Sequence, residues 1–280
     1  MNWRNFDLKT LEEEYSPSSM IGGHYQPFIE AYVNQSQLAF MSVPCRRDLR
    51  YGEGPRAWMD YFPAPRKDAE LLVFIHGGYW QELSKNESAF LAPAWIKSGR
   101  AHCVLDYDLA PSVSLETIVQ ECSAALHWLI ANAPELGFDP EKIVLAGSSA
   151  GAHLAAMLCL RHPEIRGAVL LSGIYDLEPL VPTYVNRALG LDEARAQRLS
   201  PMYLLSSSEK RRFPKCLIAW GEHETHEFKR QSQEFAALVL AQGTQCDIFE
   251  VAGRNHFDIA TTLGNRRHAL FARASLCFLD

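Results

Sequence analysis

Ile143-Val144-Leu145-Ala146-Gly147-Ser148-Ser149-Ala150-Gly151 decides how the rest of the chain reads. Four consecutive apolar residues without polar alternation suit a strand covered on both faces. The stretch 150–160 that follows is apolar enough for a central helix. A strand that passes into a helix through Gly-x-Ser-x-Gly must turn sharply, and small residues two positions either side of the serine let strand and helix approach closely. At the tip of such a turn the hydroxyl of Ser149 is lifted above the sheet. It then sits beside the N–H groups and positive dipole end of the helix, where developing negative charge is stabilised. Ser149 is the candidate nucleophile, and Ser148 lies off the centre of the pattern.

Working outward, further short apolar runs at 71–75, 102–105, 168–171, 216–220 and 246–251 read as buried strands, with 56–62 an earlier, alternating one. Leu115, Ile118, Val119, Cys122, Ala125, Leu126, Leu129 and Ile130 recur at helical spacing behind Ser114, a plausible N-cap. Residues 228–240 form another helical pattern, ended by Gly243. Strands alternating with helices imply an α/β fold with a mostly parallel central sheet and helices on both faces. Ligands then belong outside the carboxyl ends of the strands. Two stretches read as irregular. One is 1–55, with turn signals at Ser16-Pro17-Ser18, Gly22-Gly23 and Gly52-Glu53-Gly54-Pro55. The other is 173–215, which holds Pro179, Pro182, Pro201 and Pro214.

The run 71–75 ends in His76-Gly77-Gly78-Tyr79-Trp80, about seventy residues before Ser149. In α/β-hydrolases a His-Gly-Gly loop of this kind supplies oxyanion donors together with the residue after the nucleophile. Gly77, Gly78 and Ala150 are the candidate donors, and His76 is read as organising the loop. The order nucleophile, acid, histidine places the base after a late strand. His256 follows the run 246–251 and is the candidate base. The acid belongs on the loop after 216–220, Gly221-Glu222-His223-Glu224-Thr225-His226-Glu227, which holds no Asp. Glu224 is the first choice, Glu222 the alternative, and Glu227 reads as a carboxylate at a helix N-terminus. The spacing of His223, Glu224 and His226 is not His-Glu-x-x-His and no Cys or Asp cluster accompanies it, so no metal ligand is assigned. No cofactor is called for. Since these residues spread from Gly77 to His256, 1–280 reads as a single domain, with 1–55 and 173–215 as lid or cap elements.

Composition narrows the function class. Lys plus Arg is 27 and Asp plus Glu 33, a formal net charge of −6, which argues against a nucleic-acid partner. The short basic cluster Lys210-Arg211-Arg212 reads as a solvated loop. Seven cysteines, an odd number with no Cys-x-x-Cys pair, point to free thiols in a reducing compartment. No apolar leader and no run of membrane-spanning length appears, so a cytoplasmic protein with no membrane association is expected. The partner expected is a small molecule, and the sequence leaves a homodimer open.

The residues resemble a known family, the serine-hydrolase type of kynurenine formamidase (arylformamidase) within the α/β-hydrolases. The likeness covers most of the chain. It includes Glu14-Tyr15-Ser16-Pro17-Ser18, Tyr51-Gly52 and Asp60-Tyr61-Phe62-Pro63. It is most specific at His76-Gly77-Gly78-Tyr79-Trp80-Gln81 followed by Ser84-Lys85-Asn86-Glu87-Ser88-Ala89-Phe90. Gly147 to Gly151, Ser172-Gly173-Ile174-Tyr175-Asp176-Leu177-Glu178-Pro179, Glu227-Phe228-Lys229-Arg230-Gln231-Ser232 and His256-Phe257 complete it. The resemblance implies a Ser149, Glu224, His256 triad, with Glu224 standing where the family carries Asp. It implies hydrolysis of N-formyl-L-kynurenine to L-kynurenine and formate, with Tyr79, Trp80 and the segments 16–30 and 174–205 as candidate walls of the aryl pocket. The alternatives are a carboxylesterase or an aryl amide or carbamate hydrolase for small acyl groups, and a catalytically inactive binding module on the same fold.

Overall fold

The computed structural model describes residues 3–207 and 213–279, and the Lys210-Arg211-Arg212 cluster lies outside the described residues. Eight strands, β1 (Arg46–Arg50), β2 (Trp58–Phe62), β3 (Ala69–Ile75), β4 (Ala101–Leu105), β5 (Phe138–Ser148), β6 (Gly167–Leu171), β7 (Lys215–His223) and β8 (Cys246–Asn255), form one sheet in the order β1-β2-β4-β3-β5-β6-β7-β8. β1–β2 and β2–β4 pair antiparallel, and every later pair is parallel. From β3 the chain winds first to β4 on one side and then to β5 on the other. That reversal opens the crevice where α/β sheets bind ligands.

Helices cover both faces: α1 (Leu8–Glu14), α2 (Gln26–Ser42), α3 (Ala92–Lys97), α4 (Leu115–Leu136), α5 (Ala150–Cys159), α6 (Asn186–Leu189), α7 (Glu193–Arg198), α8 (Pro201–Ser206), α9 (His226–Ala241), α10 (Asp258–Thr262) and α11 (Ala269–Ser275). Successive strand residues feed opposite faces. Leu71, Val73 and Ile75 of β3 join a core with α4, α5 and α9, whereas Leu72 and Phe74 join a second core with α3, α10 and α11. This two-sided burial explains the uninterrupted apolar runs of the central strands. α4 starts as its sequence suggests, with Ser114 Oγ accepting from Thr117 N at 3.2 Å, and stops at Gly137 in the left-handed region. Among the described residues no helix is long and apolar enough to cross a membrane.

The stretch 1–55 is not irregular, as the turn signals suggested: it holds α1, α2 and β1. α2 buries Tyr32, Ser36 and Ala39, a stripe too narrow and polar to register as an apolar period. β1, Arg-Arg-Asp-Leu-Arg, is an edge strand whose charges face solvent, a common guard against edge-to-edge pairing. The stretch 173–215 carries the short helices α6, α7 and α8.

The N-terminal arm is tied to the far side of the sheet by buried polar contacts. Tyr15 Oη donates to Glu227 at 2.7 Å and accepts from Gln231 Nε2 at 2.7 Å. Thr225 Oγ1 donates to Glu14 O at 2.6 Å, and Tyr79 Oη donates to Tyr15 O at 2.6 Å. Gln231 also clamps the turn after β6: its Oε1 accepts from the N–H groups of Tyr175 and Asp176 at 2.6 and 2.8 Å. In that turn burial, aided by the charge of Glu178, pushes the Asp176 carboxyl up from 3.8 to about 6. The folded state therefore holds a proton that the unfolded chain releases between about pH 4 and 6. The cost of ionising buried Asp176 appears as pH rises through that window and is absent below it. Asp176→Asn keeps the oxygen that accepts from Glu178 N. It is expected to stabilise the fold by about 2 kcal/mol at pH 7.5 and by little at pH 4. Urea unfolding at both pH values checks this, and an equal effect at both would refute it.

Candidate active site

β5 ends directly beneath α5, and the turn between them leaves no room for side chains on its flanks. A Cβ on Gly147 would stand 2.2 Å from Gly151 O, and one on Gly151 would stand 2.0 Å from Ile75 O. Ser149, at the tip, has φ 57° and ψ −121°, in the positive-φ region that non-glycine residues rarely occupy. Its N–H donates to Leu171 O at 2.8 Å, which pins the turn to β6. Such strain persists only where the surroundings enforce it, and it concentrates at functional sites.

The loop after β3 is bent still more. Gly78, Tyr79, Trp80 and Leu83 all have positive φ. Gly78, at φ 93°, also lies so close to Glu82 O that a Cβ would fall 2.4 Å from it. His76 organises this loop, as its position suggested. Its ring stacks on Tyr107 at 4.2 Å, Nδ1 lies 2.9 Å from Gly77 O, and Nε2 lies 3.3 Å from Asp106 Oδ1. Burial opposes ionisation of Asp106, but His76 and Arg56 outweigh it and hold the carboxyl below the usual range. Among the described residues the N–H groups of Gly77, Gly78 and Ala150 donate to no protein acceptor. They are free to donate to a ligand oxygen.

Glu224 and His256 meet at the carboxyl ends of β7 and β8. Glu224 Oε2 lies 2.9 Å from His256 Nδ1. Its other oxygen accepts from Gly221 N and from Ser172 Oγ, both at 2.6 Å. All three contacts fall on a carboxylate with no exposed side-chain surface, so burial is compensated by hydrogen bonds. An ionised Glu224 only accepts, which assigns the proton to His256 Nδ1 and leaves Nε2 as the acceptor. Phe228 packs on the imidazole at 4.4 Å. Glu222, the alternative acid, is exposed and accepts from Gly253 N at 2.7 Å, away from His256. Glu227 sits in the first turn of α9, bonded to Tyr15 and Arg230.

Ser149, His256, Gly77, Gly78 and Tyr79 line one cavity of about 280 Å³. Among the described hydrogen bonds none joins Ser149 Oγ to His256, and catalytic pairs are often loose before substrate binds. Trp80 does not line the cavity, contrary to expectation. Its positive φ turns the indole into the core, where it is fully buried and meets His153 edge-on at 5.0 Å. Ser172, whose hydroxyl donates to Glu224, carries no sign of that contact in the sequence. Tyr25 and Ile29, within the segment 16–30, line the cavity with Phe257, and so does Tyr32, which lies outside that segment. The described residues hold one group able to offer three ligand atoms to a metal, His127, His162 and Glu164, within 4.8 Å of one another. It lies beyond the far end of α5, about 15 Å from Ser149 by the length of that helix.

Residues 72–259 match a family described as the alpha/beta hydrolase fold. Kynurenine formamidase of Danio rerio is 31% identical over 96% of this chain and 96% of its own length. A solved structure from a Silicibacter species, assigned as a thioesterase, is 28% identical with TM-score 0.84 and covers 95% of this chain and 98% of that one. An esterase of Pyrobaculum calidifontis, at 19% identity and TM-score 0.74 over 99% of this chain and 94% of that one, shares the fold.

Proposed function

The chain is a hydrolase that belongs to the α/β-hydrolase fold family beside the kynurenine formamidases, and from that premise we propose that it is a serine hydrolase of aryl formamides, with N-formyl-L-kynurenine its leading substrate. Ser149 attacks the formyl carbon while His256 Nε2 takes its proton. The N–H groups of Gly77, Gly78 and Ala150 hold the oxyanion; removing one such donor typically costs about 3 kcal/mol of transition-state stabilisation. As the C–N bond breaks, His256 returns the proton to the aniline nitrogen, which leaves as a neutral amine. Water, activated by the same histidine, then releases formate from the formyl-Ser149 ester. Glu224 orients His256 and stabilises the imidazolium without taking the proton. Ser16, Tyr25 and Tyr32 before β1, and Tyr184 and Val185 after β6, supply cavity wall and act as lid residues.

The observation that carries this reading is the Glu224–His256 pair facing the same cavity as Ser149 in its strained turn. At about 280 Å³ the cavity is at the small end for ligand sites and suits one aromatic ring with a short arm. A second reading, hydrolysis of small esters or thioesters by the same residues, is favoured by the 28% identical Silicibacter relative. Comparing kcat/KM on N-formylkynurenine with that on p-nitrophenyl acetate separates them. Ready formate release from the formamide is expected. Ester turnover with negligible formamide cleavage would move the assignment to the second reading.

A further inference from the structure

A formamide of the kynurenine type carries an arm beside its ring that ends in both an ammonium and a carboxylate. The cavity wall bears on which of these is recognised. Glu82 is the one carboxylate among the lining residues, and among the described residues no Lys, Arg or Asp lines the cavity. Arg187, two residues beyond the wall residue Val185, is exposed and does not line the cavity, and two further cations are engaged elsewhere. Arg56 donates to Leu83 O and Asp106, and buried Lys85 donates to Asp48 and Asp60. The two wall histidines are committed to Asp106 and Glu224.

Glu82 is exposed at the mouth, on the side of Tyr184. Burial raises the Tyr184 phenol, Ser16 lowers it, and the charges of Glu12 and Glu82 raise it further, so the field of both carboxylates reaches this rim. Glu12 is anchored there, accepting from Tyr184 N at 2.9 Å. Tyr25 and Phe257, stacked on each other at 5.7 Å, also line the cavity. A carboxylate entering this site loses water, meets no cation and approaches Glu82. An ammonium meets Glu82 as a counter-charge.

Building on the aryl-formamide reading, we propose that this site selects substrates whose ring carries a cationic arm, with Glu82 as the specificity-determining residue at its mouth. The carboxylate of an amino-acid arm is then left in solvent.

The test compares kcat/KM for two N-formylanilines with ketone arms of equal length, one ending in an ammonium and the other in a carboxylate. The amine is expected to be cleaved about tenfold better than the acid, and that ratio is expected to fall to about one in Glu82→Gln. An acid cleaved as well as the amine overturns the proposal, as does a ratio that Glu82→Gln leaves unchanged. Glu82 is exposed, so the variant should fold, and a thermal melt verifies it. An uncharged formanilide tests the formamidase reading separately. If it is not hydrolysed, the charge preference is read on phenyl acetates bearing the same two arms, so failure of one reading is told from failure of the other.

Discussion

Ser149→Ala is expected to lower kcat on every substrate by about 10⁶-fold, and His256→Ala by a similar factor. The double variant should be hardly worse than either alone. A nucleophile and its base act as a unit: without the imidazole the hydroxyl stays protonated, and without the hydroxyl the imidazole has nothing to activate. The residual rate comes from the oxyanion donors and binding, which neither substitution touches. Ser149 already holds its positive-φ conformation in a turn fixed by Gly147, Gly151 and the bond from its N–H to Leu171 O. Alanine keeps those constraints, so thermal stability should barely change. A fluorophosphonate probe should label the wild type at one serine and leave Ser149→Ala unlabelled. More than about 1% of wild-type activity in Ser149→Ala would place the nucleophile elsewhere, since true triad serines lose several orders of magnitude.

The elbow and the His-Gly-Gly loop were legible because their chemistry restricts residue choice. No side chain fits at Gly147 or Gly151, and an uninterrupted apolar run must precede them when both faces of the strand are covered. β1 was illegible for the opposite reason. At the sheet edge its arginines face water, so nothing in Arg46-Arg47-Asp48-Leu49-Arg50 separates it from a loop. α2 hides behind Ser36 in the middle of its buried stripe. Trp80 misled because composition cannot show direction: an aromatic beside the oxyanion loop reads as pocket wall until its backbone torsion turns it inward. Ser172 touches Glu224 across 52 positions of sequence, and a serine after a strand carries no mark of such a contact. The local pattern thus marks candidate chemistry more readily than the residues that hold it in place.

Glu224 is where that distinction can be measured. Glu224→Gln is nearly isosteric, and its carbonyl oxygen can still accept from Gly221 N and Ser172 Oγ. Its NH₂ then faces His256 Nδ1 and donates to it, which moves the ring proton to Nε2. That nitrogen can no longer accept a proton from Ser149, and the charge that stabilises the imidazolium is gone. A loss of about 10⁴-fold in kcat is expected. Glu224→Asp keeps the charge but is one methylene too short to hold Gly221, Ser172 and His256 at once. A misplacement of about 1 Å costs roughly 10²-fold, so this variant should fall between Gln and wild type. Glu222→Gln, exposed and accepting from the Gly253 N–H away from His256, should stay near wild type. If Glu222→Gln were the crippled variant and Glu224→Gln the active one, the acid would have to be reassigned and the 2.9 Å Glu224–His256 contact would be structural only. If Glu224→Asp matched wild type, the backbone of the 221–227 loop would be mobile enough to follow the shorter side chain. The three hydrogen bonds that bury this carboxylate would then no longer explain why the longer acid is tolerated here.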